Sequence, residues 1–474
     1  MARHDRWVML TTLVVLQALT IVIGVYAMNT GFSLSALTGQ SPPGGPTESP
    51  QEESPPAPVV TAGPVLAQLP AKPGDGPLPT KSTLTRQLTR ALGDRALGDR
   101  VGAVVLDAAT GQEIFASNAD AAFVPASTTK IAVCAAALAS LGPDNRLSTT
   151  AVQGPEPGTV VLVGGGDPLL AGPSAKPGYP KQASLRTLAA RTAATLKSQN
   201  IKKVTLSYDT SLFAGPVKAA GWKPSYIPDG NVATVHALAI DEGRRHPRHN
   251  APRVDDPPQY AATAFARLLK KEGIAVSKSV REGEAPAGAA ELGRVDSAPV
   301  YALVEHTLTE SDNDMAEALM RHVAIKEGQQ ASFEGGAKGV TAVLQRLGAA
   351  QGVAALSDGS GLSIRNRISP RALAKIIAMG DSADHPDLHA IASGMPIAGF
   401  SGTLGNGRRF TAADSKGQVG LVRAKTGTLN NVNTLAGLAT TKDGRLVTFA
   451  FMADHVPVNA EPVLDRLAAI VARN

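Results

Sequence analysis

The sequence predicts an α+β body whose antiparallel sheet is assembled from both ends of the chain, with helices on both sides. Two hairpin signals and the helical runs between them carry that prediction. Near one end, Val101 to Leu106 and Gln112 to Ala116 are strand-like runs joined around Thr110-Gly111. Near the other, the apolar runs Thr434 to Ala439 and Leu446 to Ala453 flank Asp443-Gly444, a turn pair that favours a hairpin. Ala460 to Ala472 then has the spacing of a closing amphipathic helix. Strands at both ends and helical runs between them, such as Ile131 to Leu138 and Val300 to Leu308, fit one sheet covered by helices.

Composition bounds the rest. With 474 residues, 43% of them hydrophobic, the chain is long enough for two or three domains and a substantial core. Cys134 is the only cysteine, so no intrachain disulfide can form, and Cys/His metal frameworks are absent. No metal or cofactor is expected. A net charge of +6 suits an anionic partner such as a cell-wall polymer or a membrane surface. The basic residues are spread through the chain, which argues against nucleic acid as the partner.

The uncharged run Trp7 to Met28 follows Arg3 and Arg6. It is longer than the apolar core of a signal peptide and meets the roughly 20 residues needed to cross a bilayer. Residues 1–28 therefore read as a cytoplasmic N-terminus and signal-anchor, with everything beyond Met28 outside. Val25-Tyr26-Ala27 offers an alternative cleavage site, which would make the protein secreted. Residues 29–80 are crowded with proline, glycine and small polar residues and read as a disordered linker. The folded body starts near Lys81 with a charge-rich helical segment. It contains the tandem repeat Arg90-Ala91-Leu92-Gly93-Asp94 and Arg95-Ala96-Leu97-Gly98-Asp99.

Three short motifs carry chemistry. Ser127 and Lys130 lie three residues apart at the start of a helix that is apolar nearly all round, so they share a face. Burial disfavours a charged lysine, and a neutral amine is the base a serine needs to become a nucleophile. Alone, the pair reads more readily as an N-cap serine and a snorkelling lysine. It is followed by Ser311-Asp312-Asn313 and by Lys425-Thr426-Gly427-Thr428, each with a separate task. Ser311 can relay a proton, Asn313 can hold a substrate amide, and Lys425, Thr426 and Thr428 can bind a terminal carboxylate. Gly427, lacking a side chain, leaves room for a substrate strand along the sheet edge.

Ser-x-x-Lys, Ser-x-Asn and Lys-Thr-Gly in this order resemble the serine β-lactamases and penicillin-binding proteins. Further stretches narrow the resemblance: Gly164-Gly165-Gly166-Asp167-Pro168, Tyr208-Asp209-Thr210-Ser211-Leu212-Phe213, Asp358-Gly359-Ser360-Gly361-Leu362-Ser363, Asn366-Arg367 and Ala398-Gly399-Phe400-Ser401-Gly402-Thr403-Leu404. From about Lys81 onward the chain resembles the class C low-molecular-mass penicillin-binding proteins, D-alanyl-D-alanine carboxypeptidases and endopeptidases. The resemblance implies a β-lactamase-like transpeptidase fold acting on peptidoglycan stem peptides, with Ser127 acylated, Lys130 as base, and backbone N–H groups of Ser127 and Thr428 as oxyanion hole. It also implies that β-lactam antibiotics are covalent inhibitors. The interval between the first two motifs is short for two inserted domains, and Asn231 to Pro258 is where material is missing. One β-rich inserted domain over 148–295 is therefore expected, the peptidase domain being 81–147 with 296–474. A β-lactamase, or a wall-binding protein that keeps the fold but does no chemistry, are the alternatives.

Other features point to packing or solvent. The basic run Arg244-Arg245-His246-Pro247-Arg248-His249 reads as a solvated loop. His385 and His389 lack a third ligand and read as the start of a surface helix after Pro386. Cys134, one turn after Lys130, reads as a buried, inert thiol.

Overall fold

The structure is a computed structural model and describes residues 76–175, 178–248, 250–405 and 407–474. The membrane span and cleavage site read from the sequence, the linker up to residue 75, and His249 lie outside these residues. Among the described residues, no helix is long and apolar enough to cross a membrane.

Five antiparallel strands form the main sheet: β1 (Val101–Asp107), β2 (Glu113–Ser117), β10 (Val422–Leu429), β11 (Val432–Thr440) and β12 (Leu446–Ala453). Their order is β10-β11-β12-β1-β2, so the two ends of the chain pair directly, with Val101 opposite Ala453 and Asp107 opposite Val447. Arg445 seals this seam with two bonds to the buried Asp107 carboxylate, at 2.7 and 2.6 Å. Alternate side chains enter two cores, because successive strand residues point to opposite faces. Val104, Leu106, Ala436 and Met452 join one; Ala103, Val105, Leu435 and Phe451 join the other.

The second core is closed by α1 (Lys81–Leu92) and α9 (Glu461–Arg473), which bury Leu84, Leu88, Leu464 and Leu467. The tandem repeat does not form two copies of one structure: its first half ends α1, and its second makes a 3-10 turn, Arg95–Leu97, capped by Asp94. The first core is closed by α2 (Thr129–Leu141), α5 (Val300–Thr309), α6 (Asn313–Lys326), α7 (Phe333–Arg346) and α8 (Pro370–Met379). α2 is buried over residues 129–138, as its all-round apolar sequence requires. A short pair, β8 (Val353–Ala355) and β9 (Arg367–Ile368), frames the loop before α8.

Between α2 and α5 the chain builds a second five-stranded sheet, ordered β6-β5-β4-β3-β7. Its strands are β3 (Ser148–Gln153), β4 (Thr159–Val163), β5 (Lys203–Asp209), β6 (Ala275–Glu282) and β7 (Glu291–Asp296). This region is more helical than the expected β-rich insert. Its sheet is mixed, with β4-β5 and β5-β6 parallel, and parallel neighbours need crossover connections. Those crossovers contain α3 (Leu185–Ser198) and α4 (Pro257–Lys271), which pack through Leu188, Leu196, Phe265 and Leu268 into a core shared with Val160, Leu162 and Leu206. The helical spacing of Leu185, Leu188, Ala189, Ala193 and Leu196 was present in the sequence but does not stand out beside the apolar strands.

Leu467 is fully buried between α9 and the main sheet. Leu467→Ala is expected to lower the free energy of unfolding by about 2–5 kcal/mol, measured by urea titration of the soluble body.

Candidate active site

The nucleophile segment is held from below. Ser127 lies in a 3-10 turn, Ala126–Thr128, immediately before α2, rather than in the first α-helical turn expected from its sequence. Ala126 has a φ of +49°, an uncommon conformation for a residue with a Cβ. Thr434 Oγ1 donates to the Pro125 carbonyl at 2.8 Å, fixing the turn to β11. Gly427 explains why the sheet can come so close: a Cβ there would lie 2.1 Å from Thr434 Oγ1 and 2.7 Å from the Pro125 carbonyl. Gly427 thus lets β10 pack directly on the nucleophile turn, a role its local sequence did not show.

Lys130 is fully buried, yet its ammonium has three acceptors. Nζ donates to Ser127 Oγ at 3.1 Å, Asn313 Oδ1 at 2.6 Å and the Ser360 carbonyl at 2.6 Å. These match the three donors of an ammonium group. Burial is the main influence on its acidity and brings its pKa down to about 8, while Asp358, Glu317 and Asp312 pull the other way. At pH 7 about one Lys130 in ten is then neutral, enough to serve as a base without a large penalty.

The second motif is shaped around this lysine. Asp312 caps α6, accepting the Met315 N–H at 3.0 Å, and pairs with His306 at 3.1 Å. Burial opposes its ionisation, but the His306 contact prevails and holds the Asp312 carboxyl at about 2. Ser311 turns at a φ of +59°. Asn313 donates from Nδ2 to the Asn231 carbonyl at 2.8 Å, which leaves Oδ1 facing Lys130.

The third motif lies within β10, an edge strand that continues through it. Lys425 is fully buried and donates to Ser311 Oγ and to the Thr426 carbonyl, both at 2.9 Å. Burial, reinforced by the nearby Lys130 charge, pushes its pKa well below that of a free lysine. Thr426 Oγ1 lies 2.8 Å from Thr403 Oγ1. Thr428 is exposed, and its hydroxyl donates to Glu461 at 3.0 Å. Of the eight residues read from the sequence, Lys130 joins the first motif to the second through Ser127 and Asn313, and Lys425 joins the second to the third through Ser311 and the Thr426 carbonyl, whereas the Thr428 hydroxyl turns to Glu461.

Several neighbours were not picked out from the sequence. Asp358, fully buried, accepts from the Gly361 and Ser363 N–H groups, from Asn366 Nδ2 and from Trp222 Nε1. It shapes the turn that presents the Ser360 carbonyl to Lys130. Asp358, Ser360 and Asn366 lie within stretches that carry the family resemblance, so the signal was there without a role. Segment 231–258, where the sequence suggests missing material, packs on the second motif. Ala233 N–H donates to Asp314 at 2.8 Å and Arg253 pairs with Asp314 at 2.9 Å. Burial raises the Asp314 carboxyl to about 6 despite Arg253.

Glu242, His306 and Asp312 come close enough to share an ion, but Arg244 and Arg253 already pair with Glu242. Cys134 is buried, and that burial pushes its thiol up to about 12, consistent with an inert side chain. A 3-10 turn, Pro386–Leu388, follows His385 and leads through His389 into a short helix, Ala390–Ser393, close to the helix start read after Pro386.

A serine, a buried lysine beside it and a second lysine across an edge strand define the class: a serine acyl-transfer site on an α+β scaffold. The chain belongs to the D-Ala-D-Ala carboxypeptidase 3 (S13) family, which it matches over residues 84–252 and 244–473. It is 37% identical to a carboxypeptidase of Mycobacterium tuberculosis, over 82% of this chain and 84% of that one. It is 34% identical to carboxypeptidase DacB of Mycolicibacterium smegmatis, over 89% and 90% respectively. Its fold is similar to that of penicillin-binding protein 4 from Haemophilus influenzae, with a TM-score of 0.66 at 23% identity, covering 82% of this chain and 98% of that one.

Gly427→Ala would force β10 away from the nucleophile turn, because the contacts a methyl group would meet include backbone. Acylation by a β-lactam is expected to slow by at least about tenfold while the protein stays folded. Stopped-flow acylation beside thermal unfolding of the same sample checks this.

Proposed function

We infer that this protein is a serine D-alanyl-D-alanine carboxypeptidase that acts on peptidoglycan stem peptides and is acylated by penicillin. The observation that carries the reading is the Lys130 ammonium, held 3.1 Å from Ser127 Oγ and bonded to Asn313 of the second motif. The family match and the names of the relatives support the substrate class. The β-lactam complex of the Haemophilus influenzae protein supports the inhibitor class.

In this reading Ser127 Oγ attacks the carbonyl of the penultimate D-alanine as its proton passes to neutral Lys130. Backbone N–H groups of Ser127 and Thr428 receive the developing oxyanion. Asn313 holds the peptide amide. Ser311, bonded to Lys425, carries a proton to the departing amine, and D-alanine leaves. The Thr426 and Thr403 hydroxyls, 2.8 Å apart, would receive the terminal carboxylate, whose charge favours the charged form of the buried Lys425. Water then releases the acyl group from Ser127. A cross-linked peptide would present a different leaving amine to the same residues. The apolar run Trp7 to Met28 would tether the enzyme to the membrane with its body on the wall side. Membrane fractionation of the full chain tests that tether, and recovery in the soluble fraction would remove it.

Incubation with a fluorescent penicillin is expected to label the protein covalently, with no labelling of Ser127→Ala. Absence of serine-dependent label would overturn the acyl-enzyme, and rapid loss of label would favour a β-lactamase. D-Alanine release from a pentapeptide, compared with cleavage of cross-linked dimers, separates carboxypeptidase from endopeptidase.

The pH dependence follows from Lys130. The neutral amine is the active form, so the acylation rate should rise with pH through about 8 and fall on the acid side. A rate that is flat between pH 6 and 9 would remove Lys130 as the base.

A further inference from the structure

Glu317 lies one helical turn beyond Asn313 on α6, and its side chain is completely buried. It touches none of the reacting groups. Its two carboxylate oxygens each accept one backbone N–H from the turn opposite: Oε2 from Gly359 at 3.0 Å and Oε1 from Ser360 at 2.8 Å. Ser360, which supplies the second of these N–H groups, turns its own carbonyl, in the next peptide unit, to Lys130 Nζ at 2.6 Å. The turn is wedged between α6 and the nucleophile. A Cβ on Gly359 would lie 2.5 Å from the Ala316 carbonyl, and one on Gly361 would lie 1.9 Å from that of Ala126. Arg321, also buried, is 4.0 Å from Glu317 and lies over the Phe333 ring.

We propose that Glu317 is a positioning residue for acylation: its paired oxygens clamp the 359–360 backbone so that the Ser360 carbonyl remains an acceptor for Lys130. A buried carboxylate with an ion partner at 4.0 Å is an expensive way to fill space, and an apolar side chain would serve as well if packing were the only need. What an apolar residue cannot do is accept two adjacent N–H groups at once. Glutamine cannot either, because its amide NH2 would face one of the two donors.

The charges around Lys130 set the direction of the test. Asp358, Glu317 and Asp312 favour its ammonium, the Cys134 thiol beside it is uncharged in this range, and Lys425 stands on the opposite side of the balance. Burial, followed by Asp358, raises the Glu317 carboxyl to about 7, with Arg321 opposing. Accepting the Gly359 and Ser360 N–H groups together, with Arg321 alongside, is the work of the ionised carboxylate. Removing its charge should make Lys130 lose its proton more easily and move the acid limb of the rate profile to lower pH.

The inference rests on Lys130 acting as the base, which serine-dependent labelling of the unaltered protein tests separately. The experiment measures the acylation rate by fluorescent penicillin from pH 6 to 9 for Glu317→Gln, Glu317→Asp and the exposed control Glu334→Gln. Each rate is expressed per titrated acylation site, so unfolded protein does not count. For Glu317→Gln the rate at the plateau should fall by between about tenfold and a hundredfold, with the acid limb displaced downward. Glu317→Asp, which keeps the charge but shortens the reach, should lose rate with the limb in place, and it supplies the test if the glutamine variant does not fold. Glu334→Gln should match the unaltered protein. An unchanged rate per site in both Glu317 variants would overturn the proposal, as would a rate loss in Glu317→Gln with an unmoved acid limb.

Discussion

The structure depends on keeping one lysine amine inside the protein. Desolvating an ammonium costs several kcal/mol even after relaxation, and Lys130 offsets this with three acceptors drawn from three distant parts of the chain. Ser127 precedes α2, Asn313 opens α6, and Ser360 lies in the loop before β9. None can shift without leaving a donor unpaired in a buried place. The balance leaves the amine titrating at about 8, so both states needed for proton transfer are within reach near neutral pH. A fully exposed lysine would be almost wholly protonated, and one without acceptors would not remain inside.

Lys425 imposes a second constraint. It too is fully buried, and its charge and that of Lys130 disfavour each other. The edge strand that carries it must therefore lie close enough for Lys425 to reach Ser311, yet come no closer to Lys130. Gly427 fixes that spacing on one side, where it packs on the Pro125 carbonyl and Thr434. Pairing of β11 with both β10 and β12 fixes it on the other. The sheet built from the two ends of the chain is thus the ruler that sets the distance between the motifs.

The parts legible in the sequence were those governed by short-range pattern. Ser127 and Lys130 are related by helical spacing, the terminal hairpins by alternation and turn residues, and the order of the three motifs is written along the chain. What was not legible depends on partners far away in sequence. Nothing local marks Glu317 as facing Gly359, or Asp358 as the acceptor for Trp222. The packing reason for a missing Cβ at Gly427 was hidden too, because it lies in β11 and the nucleophile turn. The 3-10 turn at Ser127 escaped for a related reason. The positive φ of Ala126 is stabilised by surrounding contacts and has no sequence signature of its own.

The region between the first and second motifs is joined to the chemistry by more than its position in the chain. Trp222 donates to Asp358, the Ala220 carbonyl accepts from Ser363 Oγ, and the Asn231 carbonyl orients the Asn313 amide. Arg253 then neutralises Asp314 beneath the same helix start. Each contact acts on a residue that holds a Lys130 acceptor or its supporting turn. Segment 216–258, although it belongs to neither the second sheet nor the main one, completes the wall around the lysine. Shortening here is tolerable only if these four contacts survive, because without the Asn231 carbonyl the Asn313 amide could rotate and present a donor to an ammonium. Length in this region can vary; the polarity facing Lys130 cannot.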